Sequence, residues 1–495
     1  MAALIESPSI APRRATTVHR WDYEADVVVV GLGCAGASAA IEARAGDADV
    51  LVLERAGAGG GASTMSGGVL YLGGGTAIQR ACGIEDSAED MYRFLLATMG
   101  PEADGPRVAL YAQESVEHFD WLVARGVPFK PSLWPLPAWT PPTEDGLMWM
   151  GEEAYPFAEV ARPAPRGHRP TALGRSGWIL MECLLRSAVE SGARIESDVN
   201  VDRLVTGDDG AVVGVVARRY GKQVTVRARG GVVLATGGFV FNDDMLAEHA
   251  PVLLPHTKIG TDYDDGRSIR MAQAVGAATR RMDAGEGSIN FSPSLMAAGM
   301  VVNAVGQRFI NEDVYPGRIG QMAMFHQHAR AYLVFDEEAY ESIPENLRHG
   351  RRPEWVCESV AELEQEIGLP ERSLQSTIDL YNHHAARGED PFFHKAAKWL
   401  RPLRSPFAAM DVRAKRMDGP PDPADRGTGF RVFTLGGLRT TLDGAVQNLD
   451  GEPIPGLFAA GRTASGLPSW GYISGTSLGD GTFFGRRAGA AAGRA

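Results

Sequence analysis

A chain of 495 residues is longer than one hydrophobic core usually organises, so two domains, consecutive or interleaved in sequence, are the first expectation. With 44% hydrophobic residues, formal net charge −12 and no apolar run approaching the roughly 20 residues that a bilayer span needs, the composition argues against membrane insertion and against general nucleic-acid affinity. An acidic enzyme acting on a small molecule fits these figures, and four scattered cysteines make a reducing cytoplasm the default compartment.

Residues 1–20 read as a disordered leader: Arg13-Arg14 is followed by no apolar stretch of the kind that a secretory or twin-arginine signal requires. Cys34, Cys82, Cys183 and Cys357 are far apart and form no CxxC pair, so neither a metal site nor a disulfide framework is expected. The strongest local signal begins at Ala25, where a run of valines reads as a buried strand entering Gly31-Leu32-Gly33-Cys34-Ala35-Gly36 and then a helical pattern. Gly31 permits the tight turn, Gly33 lets the backbone approach a pyrophosphate and Gly36 allows close helix packing, while the helix N-terminus offers N–H groups and a positive dipole end. A second strand follows and ends in Glu54, placed to accept from an adenosine ribose hydroxyl, with Arg55 beside it.

The segment after Glu54 separates FAD from NAD. Gly59-Gly60-Gly61-Ala62-Ser63-Thr64-Met65-Ser66-Gly67-Gly68 combines glycines with small hydroxyl residues, giving the backbone access that a bulky cofactor needs. Ala235-Thr236-Gly237-Gly238 and Ala459-Ala460-Gly461 each end a further strand and resemble secondary flavin fingerprints. The expected cofactor-binding set is therefore Gly31, Gly33, Ala35, Gly36, Glu54, Arg55, Gly61, Ala62, Ser63, Ser66, Gly67, Gly68, Ala235, Thr236, Gly237 and Gly461, completed near the C-terminus by Gly475, Ser477 and Leu478. Residues 123–150, rich in proline and aromatics, read as an irregular insertion, whose Trp134, Trp139 and Trp149 either line a pocket or pack the insertion.

These motifs, with GMVVNAVGQRFINED and the ending WGYISGTSLGDGTFFGRRAG, resemble the fumarate reductase and succinate dehydrogenase flavoprotein superfamily, which includes the 3-ketosteroid dehydrogenases. The resemblance covers nearly the whole chain after Trp21. It implies an α/β fold with a Rossmann-like FAD-binding domain split in sequence, residues 21–280 and 433–495, and an inserted α+β substrate domain, residues 281–432. The cationic positions that hold a dicarboxylate in fumarate reductases have changed: the acid arginine falls near Tyr315 and Pro316, the histidine becomes Phe433, and the final-loop arginine becomes Tyr472. Such surroundings suit a large, mostly apolar, carbonyl-bearing molecule better than a dianion.

The final loop Tyr472-Ile473-Ser474-Gly475, paired with Tyr315, is most similar to the 3-ketosteroid Δ4-(5α)-dehydrogenases. That resemblance implies a 3-keto-5α-steroid substrate and a 4-en-3-one product. Tyr472 would bond the C3 carbonyl, Ser474 would take the C4 proton, Tyr315 would relay it, and hydride would pass from C5 to flavin N5. Alternatives are a Δ1-dehydrogenase, an enone or fumarate-type reductase, or a catalytically silent flavin-binding regulator. Ser63 stands where succinate dehydrogenases attach flavin to histidine, so FAD is expected to be non-covalent. Arg462 replaces a glutamate that many relatives place near the flavin's hydroxyl chain. His168 is expected to be a solvent or core histidine.

Overall fold

The computed structural model describes residues 9–289, 291–348, 350–413 and 428–495. Its largest sheet grows from the valine run. Tyr23–Val30 is a strand in which Val27, Val28 and Val29 are wholly buried, as a strand covered on both faces must be. Val28 lies opposite Leu51 of the parallel strand Val50–Leu53 on one side and opposite Val232 of Lys222–Leu234 on the other. Arg194–Glu196 extends the sheet beyond Val50–Leu53. Lys222–Leu234 also turns back through the antiparallel strands Val212–Arg219 and Val199–Thr206. From the far end of the chain, Pro453–Ala459 adds in parallel, with Phe458 opposite Val233. One sheet thus joins both terminal regions, as a flavin domain split in sequence requires.

The N-terminal expectation is corrected over part of its length. Residues 1–8 lie outside the described residues, but Arg13–Arg14 pairs in parallel with Val205 and Thr206, and the Arg13 guanidinium donates to Thr17 Oγ1 at 3.1 Å. An edge strand presents unpaired backbone groups, and the stretch read as a structureless leader supplies partners for them.

Between the two parts of the large sheet, Met300–Asn303, Ala331–Asp336, Phe407–Asp411 and Trp355–Cys357 form an antiparallel sheet. Helices Val360–Ile367 and Ser373–Ala385 pack on it around a separate core that includes Tyr332, Val334, Leu363, Leu374 and Ile378. A three-stranded sheet ties the regions together: Thr428–Thr434 pairs with both His256–Lys258 and Gly285–Ile289. The border expected after residue 432 therefore falls inside a strand. Past the end of helix Ser115–Ala124, the proline-rich insertion holds the two-residue strands Leu133–Trp134 and Leu147–Met148.

The C-terminal helix, Thr476–Arg494, returns the chain to the glycine turn. A Cβ on Gly485 would stand 2.5 Å from the Ala35 carbonyl oxygen, and one on Gly489 would run into the backbone of Ala39. The helix Cys34–Ala45 and the C-terminal helix thus meet at backbone distance. Among the described residues, no helix is long and apolar enough to cross a membrane. Gly489→Val is expected to destabilise the fold by about 1–3 kcal/mol, because the obstructing atoms are backbone and cannot rotate away. Thermal unfolding checks this, and an unchanged midpoint would show that the two helices can separate without cost.

Candidate active site

The glycine turn is built against the end of a neighbouring strand. Gly31 has φ +95°, and a Cβ there would stand 2.6 Å from the Ala235 carbonyl oxygen, so only glycine accommodates both the turn and the approach. Gly33 caps the helix without a side chain, which leaves Ala35 and Gly36 in an open first turn. Ser63 Oγ accepts from the Cys34 N–H at 3.2 Å, and Ser66 Oγ donates to the Ser63 carbonyl at 2.7 Å while accepting from the Gly68 N–H at 3.2 Å. The Gly67 carbonyl accepts from the hydroxyl of Ser176, fastening the loop on its other side. A Cβ at Gly61 would meet nothing within 4 Å, and Ala62 beside it is half-buried, so this stretch borders open space.

Glu54 accepts from the Leu32 N–H at 2.7 Å and the Ala56 N–H at 2.8 Å, which locks its carboxylate beside the turn. Arg55 pairs with Asp265 at 2.7 Å and lies over the Tyr263 ring at 4.4 Å. The other fingerprints arrive at the same place. A Cβ on Gly461 would stand 2.9 Å from Ala35 Cβ, and the Gly237 carbonyl, next to Thr236, accepts from Thr463 Oγ1 at 3.1 Å. Gly475, with φ +97°, caps the C-terminal helix, whose first turn carries Ser477 and Leu478. These are cradles that any side chain would fill, aimed at two helix N-termini. They fit an extended diphosphate cofactor.

Arg462 is engaged by a residue that the sequence reading missed. Its guanidinium pairs with Asp264 at 3.2 Å, and the same carboxylate accepts from the N–H groups of Gly238 and Thr261 at 3.1 Å each. Asp264 sits in an acid-rich loop, Asp262-Tyr263-Asp264-Asp265, whose ordinary reading is a solvated turn. Arg462 also stacks over Phe433 at 5.5 Å.

A second cluster lies where the final loop meets the middle of the chain. Tyr315, at the start of helix Pro316–Gln321, is 3% exposed, and its hydroxyl donates to Ser474 Oγ at 2.9 Å. Trp139 presents its edge to the Tyr315 ring, centroids 6.2 Å apart, and donates its indole N–H to the Phe291 carbonyl at 2.9 Å. Tyr472 packs edge-to-face on Phe433 at 5.2 Å. Burial pushes the Tyr472 phenol up to about 12, against the pull of the Ser477 hydroxyl, and pushes the Tyr315 phenol well above the usual range. Both phenols therefore remain neutral hydrogen-bond donors at ordinary pH. The loop is pinned from behind, because Gly475 abuts Tyr71, whose N–H donates to the Gly475 carbonyl at 3.1 Å.

Trp134 and Trp149 are half-buried in the insertion, and of the three tryptophans it is Trp139 that reaches Tyr315. His168 is a core residue, held between Thr76 Oγ1 at 2.7 Å and the Arg166 carbonyl at 3.0 Å and pushed down to about 4 by burial. Glu286, which nothing in the sequence singles out, is a buried carboxyl group beside the tyrosines.

Residues 26–478 match the family model described as "FAD binding domain". The chain belongs to that family. It is similar to a 3-ketosteroid-Δ4-(5α)-dehydrogenase from Rhodococcus jostii RHA1 solved in complex with 4-androstene-3,17-dione: 51% identity, TM-score 0.92, covering 98% of this chain and 100% of that one. A 3-oxo-5-alpha-steroid 4-dehydrogenase of Comamonas testosteroni is 29% identical over 89% of this chain and 93% of the relative. A flavocytochrome c3 fumarate reductase is more distant, with 26% identity and TM-score 0.68 over 96% of this chain and 79% of that one. The cofactor is FAD, and the cradle described above is where the chain would hold it.

Two outcomes follow for the cofactor. Heat or acid denaturation is expected to release FAD into the supernatant, because Ser63 offers no histidine for attachment; flavin remaining with the precipitate would contradict this. Glu54→Gln is expected to weaken FAD retention and lower the melting temperature together. Glutamine has one acceptor oxygen for two backbone donors, and leaving a donor unsatisfied costs about 1–3 kcal/mol. FAD affinity measured by ultrafiltration checks it, and wild-type retention would remove Glu54 from the site.

Proposed function

We propose that the protein dehydrogenates a 3-keto-5α-steroid to the 4-en-3-one. The observation that carries this reading is the 2.9 Å hydrogen bond between Tyr315 and Ser474, set beside the Tyr472–Phe433 pair in an aromatic enclosure. A carbonyl-bearing hydrocarbon skeleton needs hydroxyl donors at one end and apolar walls elsewhere, whereas a dicarboxylate needs cations. Arg462 is committed to Asp264, and Arg318 stacks on Phe157 at 5.2 Å. The similarity to ketosteroid dehydrogenases agrees with this chemistry.

In this reading Tyr472 donates to the C3 carbonyl oxygen, which makes the adjacent C4–H acidic by accepting the charge that develops as it breaks. Ser474 takes the C4 proton. Serine is a weak base unaided, and Tyr315, already bonded to it, passes the proton onward. Phe433, Trp139 and Phe291 keep water from the reacting carbons. FAD, when bound, supplies the two-electron acceptor for the hydride that leaves C5. Residues 21–280 and 433–495 would carry the flavin, and residues 281–432 would close over the steroid. The electron acceptor that reoxidises the flavin is a separate partner. A cytoplasmic setting agrees with the four cysteines, all free thiols.

Tyr472→Phe and Ser474→Ala are both expected to abolish most turnover while differing in product binding. The carbonyl oxygen is present in substrate, transition state and product alike, so Tyr472→Phe should weaken binding of the 4-en-3-one as well as slow reduction. The product has lost the proton that Ser474 takes, so Ser474→Ala should bind it nearly as the wild type does. Perturbation of the oxidised flavin spectrum reports binding, and anaerobic bleaching by a saturated 5α-3-ketosteroid reports reduction. Rapid bleaching by Ser474→Ala would remove its role as base, and wild-type product affinity in Tyr472→Phe would place the carbonyl elsewhere.

A further inference from the structure

The proton that Ser474 and Tyr315 pass on needs a destination, and neither hydroxyl can keep it. A serine hydroxyl and a neutral phenol transfer a proton only while another group accepts one. Glu286 is the carboxyl group that faces them. It lies on strand Gly285–Ile289, in register with Phe433, the ring that packs on Tyr472. A carbon placed where a Gly317 side chain would begin stands 2.6 Å from Glu286 Oε1 and 2.9 Å from Tyr315 Cζ, so carboxyl group and phenol flank the same glycine. Glu286 is 1% exposed, and among the described residues neither of its oxygens has a hydrogen-bond partner of good geometry, the backbone of Gly287 alone pulling weakly on the carboxylate. A buried carboxyl group left without partners costs stability unless its position serves another purpose.

Among the described residues, the charged groups on the elements packed around Glu286 are turned to other partners or other register positions. Helix Pro316–Gln321 contributes Arg318, which lies over Phe157, and Gln321, whose amide donates to the carbonyls of Gly285 and Trp470. Strand Thr428–Thr434 contributes Arg431, in register with Ser288 rather than with Glu286. The final loop contributes Tyr472 and Ser474, and Arg462 beyond them is held by Asp264. Burial holds the Glu286 carboxyl well above its ordinary range, which makes its ionised form a stronger proton acceptor than an exposed carboxylate.

We infer that Glu286 is the terminal proton acceptor of the Ser474–Tyr315 relay, an inference that rests on the dehydrogenase reading above. As the C4–H bond breaks, its electron pair becomes the second bond of C4=C5, while hydride departs from C5 to FAD. The two hydroxyls first turn, reversing the resting Tyr315-to-Ser474 hydrogen bond, so that Ser474 Oγ gains the C4 proton as it yields its own to Tyr315 Oη. Tyr315 yields its own proton to a Glu286 oxygen, through one bridging water or a small rotation of the carboxylate, and Glu286 ends the step as a neutral acid. It returns the proton to solvent before the next turnover.

Anaerobic single-turnover bleaching of the FAD-loaded protein by a saturated 5α-3-ketosteroid, followed across pH, tests this. The wild-type rate is expected to fall on acidification along one limb, as Glu286 fills with a proton. E286Q, which keeps the size and removes the titration, is expected to be about a hundredfold slower at the alkaline plateau and to lose that limb. E286D is expected to restore a limb at lower pH, which a purely structural role would not do. A pH-titrated infrared band of a protonated carboxylic acid, present in the wild type and absent in E286Q, would identify the group independently of turnover. If E286Q keeps the wild-type rate and limb, Glu286 is not the acceptor although the substrate reading stands. If no 3-ketosteroid bleaches the wild type, the substrate reading falls and the relay with it.

Discussion

Ala35 and Ala39 on the glycine-turn helix meet Gly485 and Gly489 on the C-terminal helix with no room for a side chain between them. Much of the site's geometry follows from that contact. The C-terminal helix can start only where its glycines find the first helix, so Gly475, Ser474 and Tyr472 are delivered to one place beside the cofactor cradle. The same approach sets Gly461 against Ala35, which brings the last strand of the large sheet to the glycine turn. A cofactor bound here would touch residues from both terminal regions, and its binding free energy would add to the cohesion of a domain that is discontinuous in sequence.

The second determinant is the cost of removing charge from water. Tyr315 and Tyr472 are buried enough to remain neutral, and Arg462, which stacks on Phe433 at the edge of the cluster, has its charge balanced by Asp264. A dianion entering this enclosure would lose its hydration without gaining cationic partners, whereas a ketone loses little and gains a donor. The fumarate reductase resembles this chain in fold, and the difference in chemistry rests on a few side chains at the end of the final loop and the start of one helix.

The sequence made the flavin half of the molecule legible because its constraints are local. A valine run, a glycine turn and an acid at a strand end each require particular residue types at short spacing, and the structure places Gly31, Glu54, Ala235 and Gly461 around one cradle. Tyr315 and Ser474 are 159 positions apart, and only the resemblance to a family suggested that they meet. Asp264 and Glu286 were not legible. One lies in what reads as a polar turn, the other in Gly285-Glu286-Gly287, where a lone glutamate between glycines suggests a surface loop. Their roles depend on burial created by strands that pair across distant parts of the chain. The order at Arg13–Arg14 is hidden for a related reason: the edge strand that it pairs with lies some 190 residues away.

In the proposed reaction, the final loop and Tyr315 direct proton and hydride removal to C4 and C5. The most direct measurement is the position of the new double bond after one anaerobic turnover of the FAD-loaded protein with a saturated 5α-3-ketosteroid, determined by NMR of the extracted steroid. The account requires C4=C5, formed in step with bleaching of the flavin. A double bond at C1=C2, or a recovered steroid unchanged beside a flavin that stays oxidised, would contradict it.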